Sequence, residues 1–250
     1  PAPRPSHHDA GKAAAMTHAV AGKPPDVLFL MASGCPCPHC SNVLQGLTQL
    51  VHEGMIGRLE VVNVKMFPDL AEALDVDTVP WVRIGPFELE GMLTLAELRE
   101  WLGRKDDEEG MAAYLEYLLA SGRREKVVRI VRREPARMRS LIRLLGRGKT
   151  TLHVRLGIGA VLEELRGTET ARSIVHDLGR LTTDGDARVR GDACYLLTLT
   201  HTAEAVSYLT ACRQDLDKDV REIAEEALEV LRADGNPALM KSAIRQAGAP

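Results

Sequence analysis

The sequence predicts an α/β domain over residues 26–104 and an all-α helical solenoid over 105–250, with residues 1–25 as a flexible arm. Three observations carry this reading. Between 26 and 103, apolar runs of strand length alternate with runs of helical spacing in the order β-α-β-α-β-β-α. Beyond about 108, every apolar run has helical spacing, punctuated by Gly, Thr and Asp. A motif of the form [Thr/Asp]-x-x-Val-Arg then recurs at 151–155, 186–190 and 217–221, at spacings of 35 and 31 residues.

The elements follow in order. The arm is rich in Pro, Ala and His. Val27–Ala32 is an unbroken apolar run of strand length. Helix Pro38–His52 is read from Val43, Leu44, Leu47, Leu50 and Val51. Strand Leu59–Val64 and a short helix Asp69–Leu74 come next. Strands Trp81–Ile84 and Phe87–Glu90 are joined by a Gly85-Pro86 turn. Helix Thr94–Leu102 opens with a Thr94-x-x-Glu97 capping box. The acidic run Asp106–Glu109 is either a linker or the charged first turn of the next helix.

In the helical half, each Thr or Asp of the motif would cap a helix N-terminus. Matching small or apolar positions follow: Ile158, Ala193 and Ala224, then Leu162, Leu197 and Leu228. Second helices are expected over Glu169–Leu181 and Ala203–Arg213, with 110–147 as a divergent opening repeat. A helix pair recurring at this period is a solenoid unit. On these residues the segment 150–232 resembles HEAT-type repeats. The resemblance implies a ladder of Asp and Arg side chains between units, and so a structural role for Arg155, Arg190 and Arg221. Cys194 and Cys212 occupy apolar positions of these helices, far apart in the pattern, and read as small core residues.

Bulk composition excludes several classes. No apolar run approaches the ~18 residues that span a bilayer. Five cysteines, three of them in one loop, do not make a disulfide scaffold. The N-terminal residues carry no signal-peptide pattern, so a cytoplasmic location is expected, or a periplasmic one if a leader was removed. Gly146–Thr151 ends like a phosphate-binding loop, but Arg143 stands where its first glycine belongs and no strand precedes it. The net charge is only −3, yet residues 123–155 hold twelve Lys or Arg against Glu125 and Glu134, a local charge of +10. Arg123, Arg124, Arg132, Arg133, Arg137 and Arg139 are therefore candidates to meet an acidic protein surface. The alternative is a set of solvated helix faces that complement the acidic N-terminal domain of the same molecule. Nucleic acid is disfavoured by the lack of stacking aromatics, although phosphate contacts need none.

The candidate chemistry lies in Cys35-Pro36-Cys37-Pro38-His39-Cys40, between the first strand and the first helix. A thiolate is the attacking species in disulfide exchange. Cys37 would sit at a helix N-terminus, where unpaired N–H groups and the helix dipole stabilise negative sulfur. Pro38 suits the first helical position, and His39 adds a cationic neighbour. Cys40, further into the helix, would be the more buried, resolving thiol. Cys35 places a third thiol within reach, as a relay or a spectator. A zinc site from the three thiolates and either His39 or an arm histidine is the rival reading, but no second ligand pair stands at zinc-ribbon spacing. No cofactor beyond the redox disulfide itself is expected.

Cys37-Pro38-His39-Cys40, Thr78-Val79-Pro80 and the order of elements resemble the thioredoxin/glutaredoxin superfamily. Cys40–Leu47 and Gly91–Glu97 are similar to the N-terminal thioredoxin-fold domain of alkyl hydroperoxide reductase flavoproteins, and the tetrapeptide matches that of the periplasmic disulfide oxidases. The resemblance covers 26–103 and implies thiol–disulfide exchange. It also implies a cis-proline at Pro80, packed beside the thiol pair, with flanking backbone at Val79 and Trp81 that binds an extended partner. Cys35-Pro36 replaces the Trp that precedes the motif in thioredoxins, and the glutathione-holding Gly-Gly-x-Asp of glutaredoxins is absent. A protein thiol or disulfide is the implied partner. The competing class is a non-enzymatic adaptor, in which the repeats do the work and the first domain is structural or metal-binding.

Overall fold

The computed structural model describes residues 23–34 and 38–233. The arm before 23, Cys35, Pro36 and Cys37, and the segment after 233 lie outside the described residues. The chain divides into two compact units after Leu102.

The first unit is built on an apolar central strand. β1 (Asp26–Met31) buries Val27, Leu28, Phe29 and Leu30 together, because its sheet is covered on both faces. β2 (Arg58–Asn63) pairs parallel to β1 at one edge. β3 (Trp81–Ile84) pairs antiparallel on the other side and forms a hairpin with β4 (Phe87–Glu90), giving the order β2-β1-β3-β4. Gly85 turns that hairpin at φ 55°, a conformation glycine adopts without cost.

Three helices complete it. α1 (His39–His52) turns Cys40, Val43, Leu47 and Leu50 inward at helical spacing. It packs on α3 (Leu95–Arg104) so closely that a methyl on Gly46 would stand 3.2 Å from Leu98. α2 (Pro68–Ala73) belongs to the opposite face, where Leu70 and Leu74 pack against Leu28, Leu30 and Trp81. Each large side chain buried this way contributes about 1.5–3 kcal/mol. The predicted capping box forms: Thr94 N–H donates to Glu97 at 2.7 Å and Glu97 N–H to Thr94 Oγ1 at 3.3 Å.

The second unit is a helical solenoid. It contains α4 (Glu108–Ala120), α5 (Arg124–Arg133), a 3-10 turn at Pro135–Arg137, α6 (Met138–Leu145) and α7 (Leu152–Glu164). It continues through α8 (Glu169–Arg172), α9 (Val175–Leu181), α10 (Ala187–Thr200), α11 (Ala203–Cys212) and α12 (Lys218–Ala233). The expected helix over 169–181 is thus two helices. Ser173 ends the first, its hydroxyl donating to the Thr170 carbonyl at 2.8 Å, a local bond that competes with the helical ladder. The acidic run opens α4: Asp107 caps it by accepting from Glu109 N–H at 2.8 Å.

The recurring motif has a recurring geometry. Thr151, Asp186 and Asp217 each accept from the first turn of α7, α10 and α12, and the Val, Ile/Ala and Leu positions that follow are all buried. Arg190 donates to the carbonyls of Asp184 and Gly185 at 2.9 and 3.4 Å; Arg221 donates to those of Asp215 and Leu216 at 2.7 and 3.1 Å. The two loops are superimposable in pattern, 31 residues apart. Arg190 also forks onto Asp215 with two bonds of 2.8 Å, while Arg155 forks onto Asp192, one bond at 2.7 Å. Among the described residues no helix is long and apolar enough to cross a membrane.

Candidate active site

Three chain segments that flank candidate site residues leave the sheet at one end. Met31, the last residue of β1, is in register with Asn63, the last residue of β2. Leu30 is in register with Trp81, the first residue of β3. The chain entering the cysteine loop, the turn after β2 and the segment Thr78–Pro80 therefore leave adjacent strands side by side. The Val79–Pro80 bond is cis, as the resemblance implies, and Pro80 is buried, its carbonyl accepting from Gly91 N–H at 2.9 Å.

α1 begins one residue later than expected. Pro38 caps it and its carbonyl accepts from Asn42 N–H at 2.9 Å. His39, at the first helical position, is exposed, and Cys40 beside it is only 4% exposed. Cys40 is therefore buried, as its place in the helix predicts. Cys37 and Cys35 lie outside the described residues, as does any contact between them.

Sequence reasoning missed what holds the entry to this loop. The Asn63 side chain accepts from Ser33 N–H at 3.2 Å and from Lys65 N–H at 3.2 Å, and donates to Ser33 Oγ at 2.8 Å. It ties the chain just before Gly34 to the turn after β2. Lys65 Nζ stands 3.7 Å from the point where a Cβ on Gly34 would be, and Gly34 has φ 68°. The only signal was an Asn among β-branched neighbours at a strand end.

Trp81 opens β3, as the sequence predicts. It is 0% exposed and packed with Leu28, Leu30 and the α2 side chains, with the Arg83 guanidinium 6.0 Å from its ring. Strand alternation turns its ring to the α2 side of a sheet covered on both faces, where it is fully buried and so lines no partner groove. Its indole N–H finds no acceptor among the described residues. Val79, half-buried, keeps a surface.

The basic stretch is also partly spoken for. Arg132 pairs with Glu164 at 3.1 Å, Arg137 with Glu134 at 2.9 Å and Arg139 with Asp177 at 3.4 Å. Further on, Arg143 pairs with Glu108 at 2.6 Å and Arg147 with Glu109. These acidic complements belong to the helical unit itself and not, as the alternative reading had it, to the N-terminal domain. Arg123 is half-buried, whereas Arg124 and Arg133 are exposed. Among the described residues no group of three or more His, Cys, Asp or Glu could hold a metal ion.

A β2-β1-β3-β4 sheet with helices on both faces and a cis-proline before β3 defines a thioredoxin-fold domain. The family model of the thioredoxin domain matches residues 28–103, which is this unit and not the helical one. No curated protein matches the chain.

Proposed function

We infer that the first unit is a thiol–disulfide oxidoreductase acting on a protein partner through Cys37 and Cys40, and that the helical unit, read as HEAT-like repeats, is a scaffold for that partner. The observation that supports it is the Leu30–Trp81 register, which brings the cysteine loop and Val79–Pro80 to the same end of neighbouring strands. Exposed Met66 and Phe67, on the turn after β2, add apolar surface at that end.

In this reading the Cys37 thiolate attacks one sulfur of a partner disulfide, and the partner's other sulfur leaves as a thiolate. Cys40, deprotonated, then attacks Cys37 Sγ and releases the second partner thiol, leaving a Cys37–Cys40 disulfide. The reverse sequence, from the oxidised pair to a partner dithiol, uses the same bonds. Arg124 and Arg133, with Arg132, Arg137 and Arg139 able to exchange their internal partners, would receive an acidic surface of the client.

The test is a Cys37→Ser chain assayed by insulin reduction with dithiothreitol and by oxidation of a reduced peptide. Loss of both activities is the expected result. Turnover equal to the unaltered chain overturns the assignment. Unreactive thiols combined with retained client binding would make the chain an adaptor instead. Alanine at Arg124 and Arg133 should weaken binding and flatten its salt dependence without changing exchange with small disulfides.

A further inference from the structure

We propose that the cavity between α6 and α9 binds a phosphomonoester, supplied by a phosphorylated side chain of the client. The source rests on the reading of the helical unit as the client's scaffold; the phosphate chemistry does not. α6 brings Arg139 and Arg143, one turn apart, to a single face. α9 brings His176, Asp177 and Arg180 to the other wall. Together they line a cavity of about 560 Å³, with Ile142 and Leu181 as its apolar part.

The charges in this cavity do not balance. Three guanidiniums share it with one carboxylate. Asp177 accepts from Arg139 at 3.4 Å and also from Arg180, so a single negative charge serves both. Arg143 reaches Glu108 at 2.6 Å, but Glu108 lies outside the lining, and its side chain is 67% exposed, where water screens the pair. The histidine is held in place. His176 Nδ1 lies 3.1 Å from the Tyr208 hydroxyl, and the Tyr208 ring sits so close over Gly179 that a methyl there would run into it. When that hydroxyl donates to Nδ1, the imidazole proton stands on Nε2, a further donor at the cavity.

The shape of the charge selects the ligand. A client carboxylate brings one charge and two oxygens, which a single arginine fork satisfies. A phosphomonoester brings about −1.5 to −2 and three acceptor oxygens, which call for several guanidiniums converging from different elements. The cavity is also far larger than one ion, about 30 Å³ being the share of a water molecule in liquid. The remainder, against Ile142 and Leu181, suits the carbon atoms that carry the ester. Arg139 and Arg180 are 61% and 74% exposed, so the cavity opens at the surface and a side chain projecting from another protein can enter it.

The experiment measures binding of the full-length chain to a fluorescent phosphoserine peptide pool with degenerate flanks, by polarisation. The same pool with serine or glutamate in place of phosphoserine is the control, and inorganic phosphate is the competitor. Saturable binding of the phosphorylated pool is expected, about tenfold or more tighter than either control, with displacement by inorganic phosphate only at higher concentration. Equal binding of the glutamate pool, or no saturable binding of the phosphorylated one, overturns the proposal. Inorganic phosphate binding as tightly as the pool overturns the client as its source. A chain with Arg139→Gln and Arg180→Gln should bind about tenfold or more weakly. Asp177→Asn should bind more tightly, because the competing carboxylate is gone, a gain that misfolding cannot produce. Unchanged affinity in both chains removes the cavity as the site. The Cys37→Ser chain should bind as the unaltered chain does, so loss of thiol exchange and loss of phosphate binding are read separately.

Discussion

Leu30 and Trp81 face each other across the β1–β3 ladder, and both side chains enter the same buried cluster. The pairing fixes the neighbourhood of the candidate site, since the residues just beyond each partner are the cysteine loop on one side and Pro80 on the other. Leu30→Ala would empty the centre of that cluster. We expect a loss of about 2–5 kcal/mol in urea unfolding.

Asn63 is expected to govern the geometry of thiol exchange without touching a thiol. Asn63→Ala removes the bonds to Ser33 and Lys65, costing about 1 kcal/mol. The informative measurement is the pH profile of Cys37 alkylation. It should shift in Asn63→Ala and recover partly in Asn63→Asp, which still accepts from both N–H groups. A profile identical to that of the unaltered chain would count against a positioning role.

Arg190→Ala should destabilise the helical unit by about 1.5–3 kcal/mol, because Asp215 loses a forked, largely enclosed partner. Arg190→Lys should recover only part of this, an ammonium being unable to reproduce the planar fork. Equal stability of all three chains in guanidinium unfolding would remove the pair from the account of this fold.

Acid should weaken the same region. The Arg188 guanidinium, with its backbone N–H, lowers the Asp186 carboxyl from 3.8 to about 2, and Arg190 lowers that of Asp215. A depressed carboxylate contributes its stability above the unfolded value and loses it as pH falls through the folded one. Unfolding midpoints should therefore hold down to about pH 4–5 and decline toward pH 2. Asp186→Asn should flatten that decline, and an unchanged slope would contradict the assignment.

Gly110→Ala should be poorly tolerated, since a methyl there runs into the Arg104 carbonyl oxygen, a backbone atom that cannot rotate away. Overpacking of this kind costs about 1–3 kcal/mol. A melting temperature equal to that of the unaltered chain would show that the approach relaxes freely.

The strands were legible because their signals are local. Trp81–Ile84, Gly85-Pro86 and Phe87–Glu90 carry β-branched and aromatic residues around a turn dipeptide, and both strand limits match the structure. The caps at Thr94, Thr151, Asp186 and Asp217 were legible for the same reason. What failed was non-local. A strand's period gives its two faces but not what covers each, so the packing of Trp81 against Leu70 and Leu74 could not be read from β3 alone. Helical spacing does give the buried stripe, and Cys194 and Cys212 lie in it as expected, but it does not give the rotation of one helix against its neighbour. Arg139 and Asp177 lie 38 residues apart, and nothing in either local sequence marks them as a pair.

Asp215 is held twice: its carboxylate by Arg190, its carbonyl oxygen by Arg221. The arginine of one motif is thereby latched to the loop that begins the next. A stack joined only by apolar contact could shed its outer turns one at a time. With this shared residue, α10 and α12 should exchange their amide hydrogens as one cooperative block.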